Sequence, residues 1–208
     1  RQVGGDFYDF FFIGEDRLGF VIGDVSGKGV PAALFMAVCR TLIKATALHH
    51  DCPDTCLNYV NQLLCGDNQA DLFVTVFYGV LNTKTGEVTY SNAGHNPPYW
   101  VHNNGTGPTA LQNQGGIVLG VMPDAAYIKS TITLAPGECL FLYTDGVTEA
   151  MDKDRHLFCD TRLEEHLNTA CALPLNEMAQ GLARVIDAFT VNYPQHDDIT
   201  MLAVRYKG

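Results

Sequence analysis

The chain has 208 residues, enough for one large domain or two small ones, and 47% of them are apolar while 17% are charged. This balance argues against intrinsic disorder, which requires low hydrophobicity and high net charge. The formal net charge is −10, from 13 basic and 23 acidic residues. Because the basic residues are scattered singly, the sequence argues against nucleic acid as a partner.

The seven cysteines indicate a reducing compartment. Their number is odd and no CxxC pair is present; Cys52 and Cys56 are the closest two, and no matching His or Cys cluster follows them. A zinc site is therefore poorly supported. The longest apolar run, 30–39, is too short to span a bilayer, and no signal peptide is visible. We expect cytoplasmic localisation without membrane insertion.

The first part of the chain is predicted to form a hairpin followed by two helices. The strands cover 3–13 and 17–24 and are joined by a polar turn. The first helix runs from Pro31 to about His50, and its residues are apolar on most sides, which predicts a well-buried helix. The second helix ends at about Leu64, with Asp51 or Asp54 as its N-cap.

The second part is predicted to be rich in strands before helical patterns return. Strand-like segments occupy 72–82, 87–102, 109–112, 128–134 and 138–146, helical patterns occupy 160–172 and 175–192, and a last strand occupies 198–206. No helix alternates strictly with a strand, so a doubly wound parallel sheet is disfavoured. We predict an α+β domain, spanning residues 1–208, of antiparallel sheets with helices on their outer faces.

Aspartates lie within or at the ends of several predicted strands. Asp6 lies in the first strand, Asp24 ends the second, Asp145 ends the strand in CLFLYTDG, and Asp197 and Asp198 precede the last strand. Strand ends hold side chains on rigid backbone, as metal ligands require, and hard cations such as Mg²⁺ and Mn²⁺ take oxygen ligands. Sequence spacing does not establish that these side chains converge, so ordinary turn chemistry remains the alternative for each one.

Five ordered motifs resemble the metal-dependent serine/threonine phosphatases of the PPM class (protein phosphatase 2C-like), in their bacterial SpoIIE/RsbU-type branch. The motifs are VGGDFYD, GDVSGKGVPAAL, SNAGHNPP, LYTDGVTEA and HDDIT, and they extend from Val3 to about Val204. The resemblance implies a four-layer α/β/β/α sandwich of two antiparallel sheets flanked by helices. It also implies an enzyme that hydrolyses phosphoserine or phosphothreonine on a protein.

The resemblance further implies a centre of two divalent cations, Mn²⁺ or Mg²⁺. The family's ligands map onto Asp6, Asp24, the backbone carbonyl of Val25, Asp145 and Asp197, with Asp198 as the alternative for the last position. The four aspartates of that set, without Asp198, are also the predicted catalytic residues. The implied mechanism is direct hydrolysis by a metal-bridging water of lowered pKa.

Two further residues are candidates for substrate contact. His95 in the NAGH motif titrates in a range suited to acid–base chemistry, although a structural role is the leading interpretation of a His in this β-rich context. Lys28 offers a charge to phosphate, although a Lys in a Gly-rich turn is more often simply solvated. The eukaryotic relatives carry a His after the second motif's DG, where this sequence reads Asp24-Val25, so the general acid is unassigned.

The expected partners follow from the same resemblance. They are a phosphorylated anti-sigma-factor antagonist as substrate, an upstream sensory or receiver domain outside this chain, and a second copy in a homodimer. The alternatives are a non-catalytic module that binds a phosphoprotein, and a metal-dependent phosphodiesterase acting on nucleotides. Retention of every mapped aspartate favours the enzyme over the first, and the lack of a basic groove argues against the second.

Asp9 is a second carboxylate in the first predicted strand. Side chains three positions apart in a strand point to opposite faces, so Asp6 and Asp9 do not share one. Asp9 shares its face with Phe7 and Phe11. The resemblance assigns the metal-ligand role to Asp6, and we expect Asp9 to be a hydrogen-bonding residue or one that supports a ligand without touching the metal.

Overall fold

The structure is a computed structural model that describes residues 4–50, 52–67, 71–112, 116–191, 193, 195 and 197–208. Its elements follow the predicted order of two strands, two helices, a run of strands, two helices and a last strand. In chain order they are β1 (Phe7–Phe12), β2 (Arg17–Val25), α1 (Val30–Ala47), α2 (Pro53–Asp67), β3 (Val74–Asn82), β4 (Glu87–Ala93), β5 (Tyr99–Val101), β6 (Pro108–Ala110), β7 (Ser130–Thr133), β8 (Cys139–Tyr143), α3 (Cys159–Ala170), α4 (Leu175–Phe189) and β9 (Met201–Arg205).

The described residues divide into two compact units, each with its own antiparallel sheet. Unit 1 comprises the chain up to His95 together with Gln112–Leu134 and Gly208, and its sheet has the order β1-β2-β3-β4-β7. Unit 2 comprises Asn96–Leu111 and Ala135–Lys207, and its sheet has the order β6-β5-β8-β9. The predicted α+β class, with two antiparallel sheets that pack against helices, is confirmed.

In unit 1, α1 and α2 pack against one face of the five-stranded sheet. The strand residues Val21 and Tyr78 and the helix residues Ile43 and Leu57 are completely buried in this core. Strand β1 alternates buried and exposed residues, and Asp9 falls on the buried side. The sheet therefore carries one carboxylate on the face that packs against the helices.

Helix α1 is less buried than its composition predicts. It begins with Pro31 in its first turn, as expected, but Val30, Leu34 and Val38 are between 50% and 66% exposed. The prediction of a well-buried helix was wrong, because α1 buries one apolar stripe and leaves another exposed. By length and composition α1 is also apolar enough to cross a membrane, which is weak evidence because core helices of soluble proteins pass the same test.

In unit 2, α3 and α4 cover the four-stranded sheet. Helix α4 buries Met178, Leu182 and Ile186, whose four-residue spacing places them on one helical face. Pro174 precedes α4 and separates the two helices, as predicted. Phe141 of the sheet lies in the same fully buried cluster.

Several predicted boundaries change in the folded chain. The segment 87–102 is divided into β4 and β5, which belong to different sheets, because Gly94 adopts a left-handed φ of 72° between them. Asp54 lies inside the first turn of α2, and the other cap candidate, Asp51, lies outside the described residues. All seven cysteines are free thiols.

Glu138 fastens β5 of unit 2 to the turn before β8. Its Oε2 accepts hydrogen bonds from Trp100 Nε1 and from the Ala135 amide, each 2.9 Å long, and its Oε1 lies 2.8 Å from His102 Nδ1. Burial by itself raises the pKa of Glu138, but these hydrogen bonds outweigh burial and hold the pKa below its usual value. The ionised form of Glu138 is therefore the one that stabilises unit 2.

We expect Glu138 to stabilise the protein at neutral pH and to lose that effect in acid. Because the folded-state pKa is lowered, the contribution is complete above the unfolded-state pKa of about 4.3 and disappears as pH falls through the folded-state pKa. Urea unfolding at neutral pH should show that Glu138→Gln costs about 1–3 kcal/mol. The difference from wild type should shrink as the pH is lowered, and a pH-independent difference would contradict this assignment.

Candidate metal centre

The pairing of β1 with β2 brings the first three predicted ligands together in unit 1. Phe7 pairs with Gly23, so positions 6 and 5, just before β1, face Asp24 and Val25. A Cβ on Gly5 would lie 2.6 Å from the carbonyl oxygen of Val25 and 3.3 Å from Asp24 Oδ1. The missing side chain at Gly5 thus leaves space beside two of the predicted oxygen ligands.

The remaining predicted ligands follow one strand and precede another in unit 2. Strands β8 and β9 are paired up to Tyr143 and Met201, and the Thr144 amide extends the pairing by donating to the Thr200 carbonyl at 3.1 Å. Asp145 comes directly after this point and Asp197 lies a few residues before it. The ends of two adjacent strands therefore hold both carboxylates.

Glu149 is a third carboxylate near Asp145 and Asp197 in unit 2. Glu149 is exposed, and its pKa is raised first by partial desolvation of the carboxyl and then by the charges of Asp145 and Asp197. A cleft of about 100 Å³ lies beside these residues and is lined by Gly146, Glu149 and Asp197 among others. Glu149 therefore lies close enough to Asp145 and to Asp197 to be repelled by both.

Gly146 allows its own backbone and the backbone of Asp198 to approach closely in unit 2. A Cβ on Gly146 would lie 1.9 Å from the carbonyl oxygen of Asp198, so only glycine fits between Asp145 and Val147. Asp197 is half-buried, whereas Asp198 is exposed and donates its amide to Asp197 Oδ1 at 3.0 Å. Burial and the position of the cleft favour Asp197 over Asp198 as the ligand.

Each unit offers oxygen donors that fit a hard divalent cation. Asp6, Asp24, Asp145 and Asp197 are each half-buried, so the folded backbone holds them while their oxygen atoms stay accessible. Carboxylate and carbonyl oxygens are the ligands preferred by Mg²⁺ and Mn²⁺. The first two aspartates belong to unit 1 and the last two to unit 2.

His95 is only 3% exposed and points into unit 1. Its Nδ1 lies 2.9 Å from Thr75 Oγ1, and Thr75 is the cross-strand partner of Asp24 and donates a long hydrogen bond of 3.4 Å to its carbonyl. The Asn92 side chain holds the backbone of His95 by accepting from its amide at 2.8 Å and donating to its carbonyl at 2.9 Å. This burial favours a structural role for His95 over substrate contact.

Lys28 is exposed in the turn between β2 and α1. The glycines on either side, Gly27 and Gly29, have φ values of 83° and 86°, in the left-handed region that favours glycine. The turn therefore presents Lys28 on the surface, and its contact with substrate stays a prediction.

Sequence reasoning missed the supporting residues. Glu149, Thr75 and Asn92 were not singled out, although Glu149 and Asn92 lie within the motifs LYTDGVTEA and SNAGHNPP. The glycines of GGD and TDG were visible signals, since a glycine beside a functional aspartate permits close backbone approach. Thr75 carries no local signal, because only strand pairing brings it opposite Asp24.

A separate group of potential ligands lies in the loop after β8. Oxygen and nitrogen atoms of Asp152, Asp154 and His156 lie within 4.8 Å of one another. Asp152 accepts hydrogen bonds from the amides of both other residues, and His156 Nδ1 lies 3.0 Å from its second oxygen. These hydrogen bonds lower the pKa of Asp152 and account for the clustering without an ion.

Comparison with known proteins identifies the family. A family model for stage II sporulation protein E (SpoIIE) matches residues 14–207. The chain belongs to the SpoIIE family. It is 34% identical over 235 residues to protein IcfG of Synechocystis sp., covering 98% of this chain and 36% of that protein. It is 28% identical over 213 residues to phosphoserine phosphatase RsbU of Bacillus subtilis, covering 100% of this chain and 61% of RsbU.

The chain thus spans less than two thirds of these curated relatives. Solved structures share its fold. The PP2C domain of SiaA from Pseudomonas aeruginosa has a TM-score of 0.87 at 23% identity, covering 99% of this chain and 82% of that one. A Mycobacterium tuberculosis protein with RsbU and RsbW domains has a TM-score of 0.83 at 26% identity, and the match covers 99% of this chain and 56% of that one. RsbX in complex with magnesium has a TM-score of 0.68 at 18% identity, and the match covers 98% of this chain and 91% of that one.

We expect Gly5→Ala to weaken metal binding. The new Cβ would meet the Val25 carbonyl oxygen at 2.6 Å, which forces the backbone beside Asp24 to shift. Isothermal titration with Mn²⁺ should show an affinity loss of about tenfold or more, the range for disturbed supports of a metal ligand. The matched control is Gly66→Ala, where a Cβ meets nothing within 4 Å, and equal affinity in both variants would contradict the prediction.

We expect His95→Asn to be more stable than His95→Gln. Asn places its amide near the position of His Nδ1 and can keep the contact with Thr75, whereas Gln places it one bond further away. Gln is closer to His in volume, so a requirement for volume alone predicts the opposite order. Urea unfolding should give the Gln variant the larger loss, about 1–3 kcal/mol, and the reverse order would contradict a role for Nδ1.

Proposed function

We propose that this chain is a metal-dependent phosphoprotein phosphatase that hydrolyses phosphoserine or phosphothreonine. Membership of the SpoIIE family supports a phosphatase of the PPM type. The observation that carries the proposal is the placement of half-buried aspartates beside glycines that leave room for close approach: Asp24 beside Gly5, and Asp145 beside Gly146. Such oxygen ligands on rigid strand ends suit a divalent-metal hydrolase.

We propose Mn²⁺ or Mg²⁺, in two sites, as the cofactor. The oxygen donors fit these ions, and RsbX, which shares the fold, binds magnesium. When bound, the metal would supply an activated water and offset negative charge on the phosphoryl oxygens.

The chain's own residues would hold and support that centre. Asp6, Asp24, Asp145 and Asp197 would provide carboxylates, and Val25 would provide its carbonyl. Repulsion of Glu149 by Asp145 and Asp197 supports binding of a cation in unit 2, since a cation would relieve it. Asp198 remains the alternative to Asp197.

We propose phosphoserine on an anti-sigma-factor antagonist as the physiological substrate, in a cytoplasmic setting. The relative RsbU is a phosphoserine phosphatase, and in the Mycobacterium tuberculosis relative an RsbU domain shares its chain with an RsbW domain. An upstream sensory or receiver domain and a homodimer complete the proposal. The greater length of the curated relatives supports further domains.

We expect turnover to depend on the metal and on the mapped aspartates. Asp24→Asn and Asp145→Asn should each lower Mn²⁺-dependent hydrolysis by about 100-fold or more, because a metal ligand supplies several kcal/mol of transition-state stabilisation. Activity is measured on p-nitrophenyl phosphate and on a phosphoserine antagonist protein with Mn²⁺, Mg²⁺ or EDTA. The control is Asp16→Asn, a carboxylate of the β1–β2 turn that pairs with Lys84.

The rival function is a non-catalytic module that binds a phosphoprotein. Wild-type chain that binds the phosphoserine protein without hydrolysing it under any of these metals would establish the module and reject the enzyme. Hydrolysis lost in EDTA and in both ligand variants, but retained in Asp16→Asn, would establish the enzyme.

A further inference from the structure

Asp9 is a carboxylate with two cationic partners on the helix-covered side of the sheet in unit 1. It is 9% exposed, although neighbouring residues of β1 on the other face are open to solvent. Its Oδ2 accepts a hydrogen bond from Arg40 Nε at 3.0 Å and lies 3.6 Å from Lys44 Nζ. Its Oδ1 accepts from the Phe10 amide at 2.8 Å. Both carboxylate oxygens are therefore engaged.

These contacts join the two elements that adjoin the proposed ligands of unit 1. Asp9 lies in β1, which begins directly after Asp6, whereas Arg40 and Lys44 lie one turn apart in α1. Helix α1 begins at Val30, five residues after β2 ends at Val25, which supplies the proposed carbonyl ligand. The ion pair thus links β1, which follows Asp6, to α1, which follows the Asp24–Val25 segment.

The connection between β2 and α1 does not fix the helix by itself. It contains Gly27 and Gly29, both in left-handed conformations, and glycine loses the most conformational freedom on folding. Two hydrogen bonds with Phe73 hold Ser26 at the start of this connection, and contacts of α1 with the sheet add to what positions the helix. Apolar packing is non-directional, whereas the hydrogen bond from Arg40 to Asp9 has a defined geometry.

We propose that Asp9 is a positioning residue for the metal centre of the proposed phosphatase. The β1–β2 pairs end at Phe7↔Gly23. By holding α1 against β1 through Arg40 and Lys44, Asp9 limits movement of the turn that follows the Val25 carbonyl, which those pairs do not hold. This inference rests on the proposed function, but its test reads metal binding directly. Asp9 touches neither substrate nor metal, since it lies on the face opposite to that of Asp6.

Removal of the charge should leave the fold intact. Arg40 and Lys44 side chains are each 49% exposed, so both cations can turn to water when the carboxylate is lost. Asp9→Asn is nearly isosteric and keeps an oxygen that can accept from the Phe10 amide. The substitution therefore isolates the link between β1 and α1.

The experiment is isothermal titration of the metal-free chain with Mn²⁺, with urea unfolding measured in parallel. Asp9→Asn and Arg40→Gln should each weaken Mn²⁺ binding by about 10–100-fold, the range for residues that orient metal ligands. The double variant should bind as weakly as the single ones, because both remove the same link. The matched control, Asp16→Asn, breaks an exposed carboxylate–lysine pair of the same unit and should bind Mn²⁺ like wild type.

A kinetic measurement separates positioning from chemistry. In Asp9→Asn the Mn²⁺ concentration for half-maximal activity should rise while the rate at saturating Mn²⁺ returns toward wild type. Unchanged Mn²⁺ affinity in Asp9→Asn and Arg40→Gln, with only lower stability, would overturn the inference. Wild-type chain that binds Mn²⁺ without turnover would contradict the proposed function alone, and wild-type chain that binds no Mn²⁺ would overturn both.

Discussion

The register between β1 and β2 is the constraint on which the candidate site of unit 1 depends. It runs from Phe7↔Gly23 to Phe12↔Leu18, and the glycines of β2 fix it. A Cβ on Gly23 would lie 2.7 Å from the Phe7 ring, and a Cβ on Gly19 would lie 2.8 Å from the Phe11 ring. The two buried Phe rings of β1, Phe7 and Phe11, thus each cover a glycine of β2. A slip by one residue would break both contacts and turn every side chain of β1 to the other face.

The carboxylates of this acidic chain fall into two physical classes. Asp9 and Glu138 are buried and accept hydrogen bonds from cations, indole or backbone amides, which makes their charge compatible with burial. Asp145 and Asp197 are half-buried near paired strands, and their charge raises the pKa of Glu149. The first class holds elements together, whereas the second creates a local excess of negative charge that a cation can neutralise.

Local patterns predicted the element order, because turn residues and strand alternation depend on neighbours in sequence. The motifs also marked the positions of the predicted ligands. The sequence did not reveal what binds Asp9, since its partners are 31 and 35 positions away and only helix packing brings them near. For the same reason the burial of His95 became clear only with Thr75 opposite Asp24.

Helix α1 combines apolar residues on two stripes with a charged contact to the sheet. Apolar side chains occupy both its buried and its exposed stripes. A rotation of α1 that turned the exposed stripe to the sheet would also carry Arg40 and Lys44 away from Asp9. That would leave Asp9, which is 9% exposed, without its cations, and an unpaired carboxylate at a buried position is unfavourable. The ion pair therefore adds a directional contact to the apolar packing that already favours this orientation of α1.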